Sequence, residues 1–443
     1  MDDSIERSNG YLPLAPLRHG DPTAVGLWDV DSNDGVRRPL EVGLANARDQ
    51  IVLARLHRQP LAILHVAEQP GQEDRPKLLA VLWRDARDEI LRHAQSCHCL
   101  SAPSDAEALV ETLEASSGDC PDRFPVRPQG HTAVIICTVG RTETLARTLD
   151  SVTQMNCDDF EVIVVDNRPS VPGTRALVES FASPVSIRYV AERQPGPSAA
   201  RNAGIAAAAN ATYVAFVDDD VVVDAGWLAW LLVPFTRPNV HLVTGLVMPL
   251  SLESATQKRF ELYAGFGKGV VSRTYDMVEH RATDRLLYPY WGGMFGSGNS
   301  MAFRREALLA VGGFDLALGP GTPVGGAEDT AAFTDVILAG GAVVYEPRSV
   351  CWHEHRKDEA SMYTQVRNYG IGLTAVFWRY LWKDGAFAMT VVRSVPLMVR
   401  LLKRRSDDRQ DDRLPTDLAR IESRGRMVGP WRYTMSRRRL KRA

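Results

Sequence analysis

Apolar runs of strand length alternate with segments of helical spacing through the middle of the chain. Thr132-Ala133-Val134-Ile135-Ile136-Cys137-Thr138 is a mostly apolar run, and Leu145, Leu149 and Val152 then recur at helical intervals. Phe160-Glu161-Val162-Ile163-Val164-Val165-Asp166 is a second such strand, with a short helix predicted over residues 176–181. Residues 187–190 form a third strand, 198–209 an alanine-rich helix and 213–217 a fourth strand. Continuous apolar strands separated by helices predict an α/β fold with a mostly parallel sheet covered on both faces. In such sheets ligands bind beyond the carboxyl ends of the strands, so the residues after each strand are the place to look for chemistry.

The flanks read differently. Residues 1–39 are polar and rich in Gly, Pro and Asp, which predicts an irregular lead-in. Residues 40–118 carry a strand over 60–67 and a helix over 83–94, a small α/β or α+β unit. Cys97-His98-Cys99 with Cys120 matches no spacing of a structural zinc pattern. Residues 119–130, with Pro121, Pro125 and Pro128, mark the best domain boundary. Three regions result: an N-terminal accessory region 1–128, an α/β domain 129–360, and a helical C-terminal region 361–443 ending in a basic tail.

Composition narrows the class. With 443 residues, 45% hydrophobic, 24% charged and a net charge of -2, the chain is neither collagen-like, disordered nor a coiled coil. The charge is uneven: residues 400–443 hold 15 Lys/Arg against 6 Asp/Glu, so a tail of +9 follows a body of -11. Lys403-Arg404-Arg405 and Arg437-Arg438-Arg439-Leu440-Lys441-Arg442 suit an anionic lipid surface or, equally, a solvated tail. Six Cys in a chain of this size do not make a disulfide scaffold and fit a reducing compartment. The start, Met1-Asp2-Asp3-Ser4, lacks the apolar core of a secretory signal. The apolar stretches 369–378 and 386–392 fall short of the about 20 residues that span a bilayer. The expectation is a cytoplasmic protein whose membrane contact, at most, is peripheral at the inner face.

No G-x-G-x-x-G and no P-loop lysine follow the first strand, which argues against dinucleotide dehydrogenases and P-loop NTPases. Asp166-Asn167 ends the second strand, where it suits a base or ribose contact or an ordinary turn. Asp218-Asp219-Asp220 ends the fourth strand and is followed at once by Val221-Val222-Val223. Three adjacent carboxylates repel one another, a cost that a bound Mg²⁺ or Mn²⁺ bridging diphosphate oxygens would remove. Glu328-Asp329 follow a Gly-rich loop at a predicted helix start, placed for helix capping or for general-base work. Cys351-Trp352-His353-Glu354-His355 follows a strand over 342–346, and two His beside a Trp suit a metal ligand. Trp291 and Tyr288-Pro289-Tyr290 suit either stacking on a sugar ring or the core. Phe377-Trp378-Arg379-Tyr380-Leu381-Trp382-Lys383 suits either an interfacial helix or one packed on the α/β domain.

The order of these elements resembles the inverting family 2 glycosyltransferases of the GT-A fold. The elements are strand-Thr138, strand-Asp166, Pro195-Gly196-Pro197-Ser198-Ala199-Ala200-Arg201-Asn202-Ala203-Gly204, strand-Asp218-Asp219-Asp220, Asn299-Ser300-Met301, Gly312-Gly313-Phe314-Asp315, Glu328-Asp329 and Trp352-His353. The resemblance covers about residues 130–370. It implies transfer of a sugar from a nucleotide-diphosphate donor, UDP by default, to an acceptor hydroxyl. It implies that Thr138 and Asp166 line the nucleobase and ribose pocket, with Arg201 and Asn202 orienting the nucleotide and the aspartates. Asp218 and Asp220 resemble the outer acids of the D-x-D motif, flanking Asp219 in the nucleotide-sugar site. Asp220, with Asp218 and His353, would hold Mn²⁺ or Mg²⁺. Asp329 resembles the catalytic base, with Glu328 as its understudy. The implied partners are the nucleotide-sugar donor and a carbohydrate, lipid-linked or small-molecule acceptor, with no nucleic acid. Two other readings compete: a sugar nucleotidyltransferase, disfavoured by the poor loop Val139-Gly140-Arg141, and a non-catalytic scaffold of the same fold.

Overall fold

The computed structural model describes residues 23–30, 36–37, 49–67, 75–97, 100–115, 120, 126–283, 287–383, 385, 388–389 and 416–442. Two sheets share an apolar seam. The first has the order β2-β1-β3-β4, from β1 (Thr23–Asp29), β2 (Val36–Arg37), β3 (Asp49–Leu56) and β4 (Gln59–Ala67). β1 and β3 are parallel, and β3 and β4 form a hairpin through His57 and Arg58, both at positive φ (50° and 66°). β1 and β2 correct the reading of residues 1–39 as irregular throughout; residues 1–22 lie outside the described residues. The cause is burial on both sides. Val25, Leu27, Ile51 and Leu53 join the core of the second sheet, while Trp28, Val52, Ala54 and Leu56 pack with helices Arg75–Cys97 and Ala106–Ala115. A strand covered on both faces loses the apolar–polar alternation that marks strands in a sequence.

The second sheet is built on β5 (Thr132–Thr138), β6 (Phe160–Asp166), β7 (Ile187–Ala191) and β8 (Tyr213–Asp218), the four strands expected from the apolar runs, all parallel. Alternate residues of each strand enter opposite cores. Leu145, Leu149 and Val152 of helix Thr142–Thr153 cover one face, and Ala200 and Ile205 of helix Pro197–Ala207 the other. β9 (Val221–Val223), β10 (Val240–Pro249), β11 (Arg273–Tyr275), β12 (Ser300–Arg304) and β13 (Ala342–His353) complete it in the order β11-β13-β10-β12-β8-β5-β6-β7, with β9 on β13. β12 runs antiparallel between β8 and β10, and β10 and β13 are again parallel. This is the helix-flanked α/β sheet expected for a GT-A domain.

A helical layer closes the chain. Helix Glu359–Lys383 buries Met362, Val366, Ile371, Ala375, Val376 and Tyr380, so its aromatic segment packs on the α/β domain and leaves Trp382 exposed. Arg379 forks onto Asp335 at 3.0 and 2.6 Å and reaches Asp315 at 3.0 Å. Helices Thr416–Arg426 and Gly429–Leu440 lie against it, the second carrying Arg437–Arg439; Lys403-Arg404-Arg405 lie outside the described residues. The crossing is made by glycines. A Cβ on Gly370 would run into the Glu422 carbonyl, and one on Gly425 into the Arg367 carbonyl. Among the described residues no helix is long and apolar enough to cross a membrane.

Gly425→Leu should therefore separate the two helices. Overpacking of this kind costs about 1–3 kcal/mol, so the variant should melt at lower temperature and be cleaved faster by protease within 416–440.

Candidate active site

The parallel strands end on one edge of the sheet: Thr138 is level with Asp166, and Cys137 with Asp218. Over the ends of β5 and β8 opens a cavity of about 2050 Å³. Its other walls come from the start of helix Glu328–Leu338, from His353 at the end of β13, and from helix Glu359–Lys383. Asn167 shapes one rim, donating to the Gln194 carbonyl at 2.7 Å and accepting from Gly196 N–H at 2.7 Å.

Two arginines organise the acids. Asp219 is fully buried, accepts from the Thr138 hydroxyl at 2.5 Å and is gripped by the Arg141 guanidinium. Arg141 also donates to Asp220 Oδ2 at 2.6 Å. Arg201, itself buried, donates to Glu328 at 2.8 Å and to Asp218 at 3.3 Å, joining β8 to a helix that starts 110 residues later in the chain. Burial pushes Asp218 up to about 6, against the pull of Arg201 and with help from Asp220. Burial likewise pushes Asp219 up to about 7, against Arg141. It acts on Asp220 too, but there His353 and Arg141 outweigh it and hold that carboxyl below the usual carboxylate range.

His353 is set by a relay. His355 Nε2 lies 2.7 Å from Glu261 Oε2, and His353 Nδ1 lies 3.3 Å from His355 Nδ1. With Glu261 accepting from His355 Nε2–H, the tautomer in which His355 Nδ1 accepts from His353 Nδ1–H leaves His353 Nε2 with its lone pair. Phe266 packs edge-on to the His353 ring with centroids 5.0 Å apart. Burial drives His353 down to about 4, the Asp220 charge opposing, so the ring is neutral at neutral pH. Its Nε2 faces Asp220 Oδ1 at 3.4 Å, and that oxygen is buried with no hydrogen-bond partner among the described residues. A buried, unpartnered carboxylate oxygen facing an imidazole nitrogen that can offer a lone pair suits a cation between them. Asp218, Asp220 and His353 each offer one ligand atom within 4.8 Å of the others, an oxygen-rich set that fits Mn²⁺ or Mg²⁺.

Ala327, at φ 71°, forms the left-handed N-cap of helix Glu328–Leu338. Glu328 is tied to Arg201, and burial raises its carboxyl although Arg201 pulls it down. Asp329 accepts from Gly298 N–H at 3.0 Å and from Thr330 N–H at 2.7 Å. A Cβ on residue 298 would stand 2.8 Å from the Asp329 carboxylate, so glycine there is what lets backbone and acid meet.

Of the residues singled out from the sequence, Thr138, Arg201, Asp218, Asp219, Asp220, Glu328, Asp329 and His353 share this cavity. Asp166 lies behind its wall, accepting from Arg168 N–H at 2.9 Å and from the Tyr189 hydroxyl at 3.1 Å. Asn202 also lies off the wall and clamps both the N–H and the carbonyl of Phe314 at 2.9 Å. Tyr288 and Tyr290 are buried in the core, whereas Trp291 stands at the cavity, 46% exposed. The grip of Arg141 on two acids and the Glu261–His355 relay were not read from the sequence. The doubled His at 353 and 355 was the one available signal for the relay.

Residues 133–312 match the family model Glycosyl transferase family 2. The chain is similar to the pre-mycofactocin glycosyltransferase of Mycobacterium tuberculosis, 29% identical over 217 residues, covering 47% of this chain and 39% of that protein. It is similar to the succinoglycan biosynthesis protein ExoM of Rhizobium meliloti, 31% identical over 230 residues, covering 49% of this chain and 65% of that one. The chain thus spans well under two thirds of the length of the first of these relatives. Among solved structures it is similar to the mannosyltransferase PcManGT from Pyrobaculum calidifontis in complex with GDP-Man and Mn2+. That likeness has 17% identity and a TM-score of 0.46, over 69% of this chain and 88% of that one.

The raised carboxyl of Asp218 gives the cavity a pH signature. A proton held up to about 6 must leave before that oxygen can hold a cation, so Mn²⁺ affinity should rise with pH and level off above neutrality. One proton of that pKa implies about a tenfold tighter Kd at pH 7 than at pH 5, checked by calorimetry at the two pH values.

Proposed function

Taking residues 133–312 as a member domain of glycosyl transferase family 2, we propose that the chain is a metal-dependent inverting glycosyltransferase. It moves a sugar from a nucleotide-diphosphate donor, with UDP the first nucleotide to test, to an acceptor hydroxyl. The observation that carries this reading is the convergence of Asp218, Asp220 and His353 in the cavity that Asp329 also lines. The three would hold a divalent cation, which when bound would neutralise charge on the diphosphate leaving group. Thr138 and Arg141 fix Asp219, and Arg201 fixes Asp218, so the acids need not reorganise when the donor arrives. Asp329, held by two backbone N–H groups, takes the proton of the acceptor hydroxyl as that oxygen bonds to the anomeric carbon and the bond to the phosphate oxygen breaks. One base and no enzymic nucleophile leave the anomeric centre inverted. Glu328 is already paired with Arg201 and serves as its counter-ion rather than as base.

Trp291 at the cavity supports an acceptor or donor sugar stacking there. The relatives named for succinoglycan and mycofactocin chemistry make a saccharide or small-molecule hydroxyl the acceptor class to test first. The exposed Trp382 and Trp431, with Arg437–Arg439, support peripheral contact with an anionic membrane face if that acceptor is lipid-linked.

A thermal-shift panel of UDP, GDP, dTDP and CMP with and without Mn²⁺ tests the donor site. A nucleotide at about 100 times its Kd adds about 2.7 kcal/mol. One nucleotide should stabilise the wild type only with Mn²⁺ and do nothing for Asp220→Asn; no shift with any of them would favour the scaffold reading. For the base, Asp329→Asn should lower kcat by about 10²–10⁴-fold with the nucleotide shift retained. Near-normal turnover in Asp329→Asn beside a dead Glu328→Gln would reverse the assignment.

A further inference from the structure

Outside this cavity, four metal-ligating side chains meet inside the N-terminal unit. His57 sits in the β3–β4 turn, His93 and Cys97 lie one helical turn apart on one face of helix Arg75–Cys97, and Cys120 follows helix Ala106–Ala115. All four are buried, with exposures of 1%, 5%, 6% and 1%. His57 Nδ1 and His93 Nε2 are 2.9 Å apart, and one ligand atom from each of the four lies within 4.8 Å of the other three. Three separate chain segments thus aim two imidazoles and two thiols at one point in an apolar core.

We propose that His57, His93, Cys97 and Cys120 hold a structural zinc ion. The donor set is Cys₂His₂, the borderline-soft combination that zinc takes, and ligand-to-metal distances of about 2.0–2.3 Å require only that the donors close around a tetrahedral centre. Charge favours the same ion. Zn²⁺ binding by two thiols releases two protons, and a dication with two thiolates and two neutral imidazoles sums to zero, so the loaded site puts no net charge into the core. All four positions would be filled by protein, which leaves no place for substrate and makes the site structural. Linear spacing hides it: 35 residues separate His57 from His93, and 22 separate Cys97 from Cys120. Cys99 and His98, which the sequence groups with Cys97, lie outside the described residues.

The site has a mechanical consequence. The turn that carries His57 also carries Arg58, and Arg55 lies just before it; the two pair with Asp224, next after β9, at 3.5 and 3.1 Å. Zinc would pin that turn to the end of the helix and to the segment leading into β5. The accessory unit would then present its arginines from a fixed base.

Metal analysis and cobalt substitution of the full chain test this. Protein from zinc-supplemented culture, dialysed against a weak chelator, should retain about one zinc per chain, equally in wild type and Asp220→Asn. Cys97→Ala and Cys120→Ala should each lose it. Because such variants can misfold, the wild type loaded with Co²⁺ gives the second readout. Strong tetrahedral d–d absorption with a thiolate-to-cobalt charge-transfer band is expected, which the thiol-free Asp218, Asp220 and His353 set cannot produce. A wild-type chain that holds no zinc and gives no thiolate–cobalt band overturns the proposal, as does zinc retained in both cysteine variants.

Discussion

The site depends on how the sheet tolerates three consecutive carboxylates at the end of β8. Acids at that spacing, one fully buried and two partly so, would drive the strand end apart unless cations face them. Arg141, at the start of one helix, takes Asp219 and Asp220, and Arg201, inside another, takes Asp218 and Glu328. These contacts fix helices Thr142–Thr153, Pro197–Ala207 and Glu328–Leu338 relative to one strand end. Five acids, Asp218–Asp220 with Glu328 and Asp329, still meet only two contacting guanidiniums among the described residues. Burial, with the neighbouring carboxylates adding to it, raises Asp218 and Asp219, and the deficit of cations makes the patch a receptor for a dication rather than a finished salt-bridge network.

Much of this was legible in the sequence, for a local reason. Val214-Ala215-Phe216-Val217 and Val221-Val222-Val223 are apolar on either side of the three acids, and that abrupt break has no explanation in solvation. The parallel strands were legible because helices cover both sheet faces and leave unbroken apolar runs. What the sequence hid was non-local. Glu261 completes the His355 relay from 94 residues away, on a helix where it reads as any surface acid. Arg141 looks like an ordinary residue before a helix until Asp219 and Asp220 stand beside it. Gly370 and Gly425 read as helix weakeners, yet they are what lets two helix backbones touch.

The accessory unit and the metal ligands meet in one short strand. Asp220 and Asp224 bracket β9, whose three valines pair with the end of β13 so that Val221 is level with His353. Glu354 N–H donates to the Asp220 carbonyl at 3.1 Å, and Asp224 N–H to the Val350 carbonyl at 3.0 Å. That ladder sets the distance between Asp220 and His353, and a slip of one residue would turn every side chain of β9 to the other face. Three residues supply little pairing energy of their own. The buried Arg55 holds Asp224 at one end of β9, and Arg141 holds Asp220 at the other. The register of the ligand pair thus rests on two guanidiniums, one of them from a unit that lies wholly outside the glycosyl transferase match, and this gives the N-terminal region a physical stake in the active site.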